Sequence, residues 1–403
     1  MRPPVGTYLP PLAAHTLTSI AGLRAAGVRA GIKPSGNPDL ALLVADEAVP
    51  AAAVFTQNRL AAAPVALCRE HLRRSGGLVR AIVVNSGNAN ACTGDEGAQH
   101  ALQMAQHVAT AVGCPVEQVL VASTGVIGVK LPIERVLRGI ERAVDALSSS
   151  TDAGREFLAA IQTTDAFRKE ASVVAGSSDA IVAGVCKGAG MIEPNMATML
   201  AFVATDLAVP AATLASWMPR LAARSFNAVH VDSHASTNDT FVTLATGRRQ
   251  ASDEDALAAL TDVSRRLAWL IARDGEGATK VTTIEVRGAR DDQAAHAIAA
   301  RVARSALVRT ALFGNDPNWG RFTSQVGNCP EVLDITALRC TLQDVPVFAA
   351  GEPLPFERAE VSSSMAREDV HLVLELADGP GQAFVMTSDL GYRYVEVNAE
   401  YTT

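Results

Sequence analysis

The stretch KGAGMIEPNMATMLAFVATD, which runs from Lys187 to Asp206, decides the fold prediction. Its glycines allow a tight turn, and Pro194 with Asn195 marks a loop. The apolar, β-prone run that begins at Thr198 predicts a buried strand. On local chemistry alone, a threonine at the start of such a strand is an ordinary β-former.

Strand-like and helix-like runs alternate along the rest of the chain, and this alternation predicts a layered α/β fold. Pro219 is expected to kink or end the helix that contains it. The strand-like runs are 41–46, 52–58, 81–87, 118–124, 370–379 and 391–401. The helix-like runs are 98–113, 131–149, 210–226, 252–275 and 291–314.

The composition limits the class of function. The 403 residues are 48% hydrophobic and carry a formal net charge of -7, which argues against a nucleic-acid partner. No apolar run reaches the ~18 residues of a membrane span, and no secretory signal is recognisable. Six scattered cysteines are typical of reduced thiols, so we expect a cytoplasmic protein. His230 and His234 lack the intervening glutamate of a zinc motif, so no metal site is expected.

The central stretch closely resembles the self-cleavage segment of the ornithine acetyltransferase family, in which an Ala–Thr bond is broken to expose an amino-terminal threonine. Nine further segments match this family in its own order, from Ala25 to Thr403. They are AAGVRAGIK, VFTQNRLAAAPV, NSGNANACTG, ASTGVIG, TTDAF, SFNAVHVDSHASTNDT, DGEGATK, GNDPNWGR and VEVNAEYTT. The resemblance implies an αββα sandwich like that of self-processing aminopeptidases.

The resemblance also implies cleavage between Ala197 and Thr198, which would divide the chain into residues 1–197 and 198–403. A threonine hydroxyl is a poor nucleophile and needs a base. After cleavage, the α-amino group of Thr198 has a reference pKa of roughly 7.7–8.0 and would accept the hydroxyl proton. Cleavage itself would begin with attack of the Thr198 hydroxyl on the Ala197 carbonyl.

Further site residues follow from the matching motifs in the first half. Thr124 and Gly125 resemble the family's oxyanion hole, although a strand ending in a plain turn fits the same letters. Thr164, or alternatively Thr163, resembles a substrate-binding hydroxyl. Lys187 resembles the residue that pairs with a substrate carboxylate, although an isolated lysine is ordinarily a solvated surface charge.

The second half adds three residues by the same resemblance. Glu276 would contact the ammonium groups of ornithine, although a glutamate between glycines is also a common turn residue. Asn398 and Thr403 would close the substrate pocket, whereas by themselves they describe an ordinary chain terminus.

The resemblance therefore implies transfer of acetyl from N-acetylornithine to glutamate by an assembly of cleaved chains, a heterotetramer, without a resident cofactor. It leaves open whether acetyl-CoA is also a donor. Two other functions stay open on the sequence alone. A self-processing peptidase or amidase would let water resolve the same acyl-enzyme. An uncleaved binding protein would keep the Ala197–Thr198 bond intact.

Overall fold

The computed structural model describes residues 14–176, 178–193 and 199–400. The strands in these ranges are β1 (Leu23–Val28), β2 (Leu40–Phe55), β3 (Leu78–Asn88), β4 (Val119–Val126), β5 (Lys169–Ala175), β6 (Ala180–Lys187), β7 (Leu200–Leu207), β8 (Val229–His230), β9 (Thr240–Arg249), β10 (Val281–Ala289), β11 (Arg339–Leu342), β12 (Val345–Ala349), β13 (Glu352–Pro353), β14 (Asp369–Glu375) and β15 (Gly381–Ser388).

The helices in the same ranges follow the alanine-rich runs of the sequence. They are α1 (Ala63–Ser75), α2 (Gly94–Val112), α3 (Ile133–Asp145), α4 (Thr151–Ile161), α5 (Ala211–Ala223), α6 (Asp253–Arg273), α7 (Asp292–Arg304), α8 (Ala306–Phe313), α9 (Trp319–Gly327), α10 (Arg358–Ser364) and α11 (Tyr392–Glu400).

Two predicted strand runs form one element. Runs 41–46 and 52–58 were expected to be separate, but β2 is continuous and changes its partner near Pro50. Residues 40–50 of β2 pair with β3, and residues 51–55 pair with β9. The long strand thereby joins the two halves of one sheet.

The helix predictions need one correction. Run 291–314 is two helices, because Ser305 ends α7 and its hydroxyl accepts the Val308 N–H at 3.3 Å to begin α8. Pro219 was expected to kink or end its helix; α5 continues through Pro219 to Ala223, which excludes only the second of these outcomes.

The prediction of a strand at 391–401 is wrong, because Tyr392–Glu400 forms α11. Its β-prone composition is overridden by contacts at helical spacing. Tyr394 and Val397 are half-buried three residues apart, while Arg393 and Glu396 form an ion pair at 2.8 Å on the helix surface.

The chain divides into two compact units. In the described ranges, the larger unit comprises residues 14–227 and 234–271, and the smaller comprises 228–233 and 272–400. The larger unit holds a sheet with the order β4-β3-β2-β9-β7-β6-β5, to which β1 is added along β2. The β3–β4 and β7–β9 pairs are parallel.

The two halves of the sheet in the larger unit pack against each other, and helices cover their outer faces. Alternate residues of β2 face different cores: Leu42 packs with α2 and α3, and Leu43 packs inward with α4 and the other half of the sheet. Phe202 of β7 lies in that shared inner core. On the outer side of β6, a Cβ at Gly184 would lie 2.9 Å from the side chain of Leu267 in α6.

The smaller unit repeats the combination of one sheet with packed helices. Its sheet has the order β13-β12-β11-β14-β10-β15-β8, and α7 packs on β15 and β10 through residues such as Ile298 and Val302. The predicted layered α/β fold is confirmed. No helix in the described part of the chain is long and apolar enough to cross a membrane.

Candidate active site

The predicted oxyanion residues lie at the end of β4. Parallel pairing places Thr124 beside Ser86 of β3, and Gly125 beside Gly87. Gly125 has a φ of 132°, and a Cβ there would lie 2.3 Å from the Gly87 carbonyl carbon. Only glycine fits this close approach. Thr124 is 4% exposed, and its hydroxyl makes no side-chain hydrogen bond within the described ranges.

Buried amides hold this strand end in place. The side-chain amide of Asn238 donates to the Ser123 carbonyl at 2.8 Å and to the Ala89 carbonyl at 2.6 Å. The Ser123 hydroxyl in turn donates to the side-chain oxygen of Asn85 at 2.6 Å. These satisfied polar groups fix the backbone directly before Thr124.

Lys187 ends β6 and is buried, not solvated. Its ammonium donates to the Thr163 hydroxyl at 3.3 Å, and its side chain is among the few buried cations of the larger unit. The structure thus brings Thr163 to Lys187, whereas the sequence prediction favoured Thr164, which is half-buried. Thr163 is therefore the threonine whose hydroxyl lies within hydrogen-bonding distance of the predicted carboxylate-binding lysine.

Asp165 organises the charges around Lys187. Its Oδ1 accepts from the Lys169 ammonium at 2.5 Å and from the Gly188 N–H at 2.8 Å. The Asp165 and Lys169 side chains are fully buried. Burial alone would raise the pKa of Asp165, but the charges of Lys169 and Lys187 outweigh it and hold that pKa below its usual range.

Lys33 and Asp39 complete this buried cluster. Asp39 accepts four successive backbone N–H groups, from Ala30 to Lys33, at 2.5–3.1 Å. The Lys33 ammonium donates to the carbonyls of Pro38 and Gln162. Burial lowers the pKa of Lys33 to about 8, which leaves it mostly protonated at neutral pH. The ammonium groups of Lys33, Lys169 and Lys187 therefore lie in the same part of the larger unit as the carboxylates of Asp39 and Asp165.

A second buried carboxyl lies at the start of β7. Asp239 is fully buried, and its Oδ1 accepts the Met199 N–H at 3.1 Å. Its Oδ2 is buried without a hydrogen-bond partner in the described part of the chain. Burial raises the pKa of Asp239 well above its usual range, against the opposing effects of the Met199 N–H, the Lys187 charge and the nearby hydroxyls of Ser236 and Thr56.

Two predicted residues of the smaller unit are in direct contact. The Asn398 side-chain amide on α11 donates to Glu276 Oε2 at 2.9 Å and to the Tyr394 carbonyl at 3.0 Å. The neighbouring Gly277 has a φ of 75°, and a Cβ there would lie 2.4 Å from the Tyr394 nitrogen. Glycine at this position therefore lets the Glu276 turn approach the helix closely.

The remaining predicted residues lie outside the described ranges. Ala197 and Thr198, the predicted cleavage site, and Thr403, the predicted pocket residue, are among them. The roles of all the predicted site residues stay predictions. No group of three or more metal-ligating side chains is found in the ranges that the structure describes.

The sequence analysis missed two residues that the structure makes prominent, Asp165 and Asp239. Both were present in quoted motifs, TTDAF and STNDT. The available signal was a single acid surrounded by small or apolar residues, since an acid in such a setting is rarely buried without a partner or a role.

The comparison with protein families decides the relationship. A model described as the ArgJ family matches residues 24–403. The chain belongs to the ArgJ family. An ArgJ relative from Rhodopirellula baltica, an arginine biosynthesis bifunctional protein, is 44% identical over 409 residues, 98% of each chain. The relative of the same description from Thermus thermophilus is 44% identical over 387 residues, 95% of this chain and 98% of its own.

Solved ArgJ-type structures include an ornithine acetyltransferase from Mycobacterium tuberculosis in complex with ornithine. It is 37% identical to this chain and matches with a TM-score of 0.43, covering 47% of this chain and 98% of that one.

Proposed function

We propose that this chain cuts itself between Ala197 and Thr198 and then transfers acetyl from N-acetylornithine to glutamate in arginine biosynthesis. Membership of the ArgJ family across residues 24–403 is the observation that carries the proposal, because the match includes every motif assigned above. The relatives described as bifunctional arginine biosynthesis proteins support the same pathway.

In the first step, the Thr198 hydroxyl attacks the Ala197 carbonyl carbon, and the acyl group moves from nitrogen to oxygen. Water then hydrolyses the ester, leaving a carboxylate on Ala197 and a free α-amino group on Thr198. The Thr124 hydroxyl and the Gly125 N–H stabilise the negative oxygen that develops in the attack. The tight fit of Gly125 against β3 and the fixed Ser123 carbonyl support a preorganised donor pair.

In the second step, the freed α-amino group takes the Thr198 hydroxyl proton, and the oxygen attacks the acetyl carbonyl of N-acetylornithine. Ornithine leaves with a proton, and acetyl-Thr198 remains. The amino group of glutamate then attacks this ester, which regenerates Thr198 and releases N-acetylglutamate. Both substrates present a carboxylate, which suits the buried ammonium group of Lys187.

Strand pairing gives cleavage a structural consequence. Residues 182–187 of β6 pair with 200–205 of β7, and β2 pairs with β9. In each pair, one strand precedes the proposed cleavage site in the sequence and the other follows it. The two products therefore share a sheet and stay associated without a covalent bond.

The ammonium groups of ornithine are assigned to Glu276 and Asn398, with Thr403 completing the pocket. The hydrogen bond between Glu276 and Asn398 supports a common role for these two residues. We further propose that cleaved chains assemble as a heterotetramer and that acetyl-CoA is a second acetyl donor. Mass photometry of the native protein, and assays of glutamate acetylation with acetyl-CoA alone, test these two points separately.

The central experiment combines mass spectrometry with an acetyl-transfer assay. Purified protein should contain fragments 1–197 and 198–403 that elute together and separate only on denaturation. Incubation with N-acetylornithine and glutamate should release ornithine and N-acetylglutamate in equal amounts. Thr198→Ala should stay intact and inactive. An active wild-type protein that contains only the uncut chain contradicts self-cleavage, and release of acetate in place of N-acetylglutamate indicates a hydrolase.

A further inference from the structure

Two consecutive residues connect the two strand ends that the proposed reaction needs. Asn238 donates to the Ser123 carbonyl, directly before Thr124. Asp239 accepts the Met199 N–H, directly after Thr198 in the chain. The Thr240 N–H also donates to the Met199 carbonyl at 3.1 Å. A single short segment thus holds both the end of β4 and the start of β7.

We propose that Asp239 is a positioning residue that fixes Thr198 relative to the oxyanion strand by holding the Met199 N–H. This inference rests on the proposed function. Asp239 acts through the backbone of Met199, and its effect falls on self-cleavage and acetyl transfer, not on substrate affinity. Displacing a nucleophile by about 1 Å is enough to lower a rate by ~10²-fold.

The burial of Asp239 argues against a purely structural role. A backbone N–H is satisfied equally well by a neutral acceptor, and burying a carboxyl costs more free energy than burying a neutral acceptor. The peptide bond between Thr198 and Met199 gives Asp239 a direct mechanical connection to the proposed nucleophile.

The far end of β7 offers a matched control. Asp206 is also buried in this sheet, and its Oδ1 accepts a backbone N–H, that of Ile181, at 2.8 Å. Its Oδ2 lies 3.2 Å from the Arg249 guanidinium. Asp206 therefore supports the same strand by the same type of bond, but seven residues away from Met199.

The experiment follows self-cleavage of freshly synthesised Asp239→Ala, Asp239→Asn and Asp206→Ala in a cell-free system. We expect Asp239→Ala to cleave ~10²-fold more slowly than wild type. Asp239→Asn keeps an acceptor oxygen and should cleave within about tenfold of wild type, and Asp206→Ala should cleave at the wild-type rate. The cleaved fraction of each variant, quantified by its amino-terminal Thr198, is then assayed for transfer. Asp239→Ala should lose kcat by a similar factor while KM for N-acetylornithine changes less than threefold.

The outcomes separate positioning from folding. If Asp239→Ala and Asp206→Ala lose the same fraction of the self-cleavage rate, Asp239 only supports β7 in a general way and the proposal is overturned. An Asp239→Asn variant as slow as Asp239→Ala would also overturn it, because the acceptor oxygen would then not be what matters. If Asp239→Ala does not fold, Asp239→Asn is compared with Asn238→Ala. An Asn238→Ala protein that cleaves as fast as wild type would contradict the proposed connection between the end of β4 and the start of β7. If wild type itself neither cleaves nor transfers acetyl, the proposed function has failed instead.

Discussion

Asp165 and Asp239 hold the chain on either side of the predicted cleavage segment, one at the Gly188 N–H and the other at the Met199 N–H. Both carboxyls are buried in the larger unit, yet their surroundings differ. Asp165 lies against Lys169 and Lys187, and its pKa is lowered overall. Asp239 has one unpaired oxygen, and burial raises its pKa well above the usual range.

The difference shows that equal burial does not imply equal electrostatics. A buried carboxylate with two nearby ammonium groups is stable as an ion, and removing a partner leaves an uncompensated charge. A buried carboxyl without a cation in contact is more stable as the neutral acid. The first arrangement suits charge recognition of a substrate, and the second suits the holding of a backbone group.

The largest expected effect is on stability, from removal of the cation closest to Asp165. Lys169→Met should lower the free energy of unfolding by ~3–5 kcal/mol, because Asp165 is then buried with too little positive charge. Urea unfolding followed by circular dichroism measures the loss. The control is Lys130→Met, which removes an ion pair to Glu96 at 2.6 Å whose side chains are largely exposed. Lys130→Met should lower the free energy of unfolding by under ~1 kcal/mol. An equal loss of stability in Lys169→Met and Lys130→Met would contradict the importance of burial.

The next effect is on substrate affinity. Lys187→Met should raise KM for N-acetylornithine by ~10²-fold, because it removes the ammonium assigned to the substrate carboxylate. Lys169→Met changes the same cluster but should raise KM less than fivefold. Steady-state assays at a temperature where both variants are folded provide the comparison. Similar KM values in the two variants would mean that the cluster attracts substrate only through its total charge.

The pH dependence of stability should have opposite signs at the two carboxyls. The lowered pKa of Asp165 means that its contribution is present above pH ~4 and is lost as the pH falls. Asp165→Asn should therefore be destabilised from pH ~4 upward and should approach wild type only below pH ~4, as Asp165 becomes protonated. The raised pKa of Asp239 means that its contribution is present below pH ~4 and is lost as the pH rises. Asp239→Asn should therefore gain stability relative to wild type from pH 4 upward.

Melting temperatures of wild type and both variants between pH 2 and 8 measure this contrast. Parallel curves for Asp165→Asn and Asp239→Asn would contradict the electrostatic difference between the two positions. The amide at each position keeps an oxygen acceptor for the backbone N–H, so the comparison isolates the charge.

The sequence predicted what depends on local pattern and missed what depends on distant contacts. Apolar periodicity was sufficient for β3, β4, α2, α3 and the buried strand after Thr198. It could not show that Asp165 meets Gly188, 23 residues away, or that Asp239 meets Met199, 40 residues away. Both contacts require the completed sheet.

The same limit explains the errors in the fold. A β-rich composition predicted a strand at 391–401, but the Gly277 turn packs closely on Tyr394 and residues 392–400 form a helix. Propensity is a weak guide where tertiary contacts decide. Among the site residues, resemblance identified the pair Glu276 and Asn398, which no local pattern would have joined across 122 residues.

The smallest expected effect is at Glu276 and Asn398, whose hydrogen bond is exposed to solvent. Asn398 is exposed, and its hydrogen bond to Glu276 competes with water, so Asn398→Ala should change stability by under ~0.5 kcal/mol. If the pair binds substrate, KM for N-acetylornithine should still rise about threefold to tenfold, because Glu276 loses its orientation. Glu396→Ala is the control, since it removes an exposed ion pair to Arg393 on the same helix and should leave KM unchanged. If Asn398→Ala and Glu396→Ala have the same KM as wild type, the contact between Glu276 and Asn398 only anchors α11, and the assignment of Asn398 to the substrate pocket is wrong.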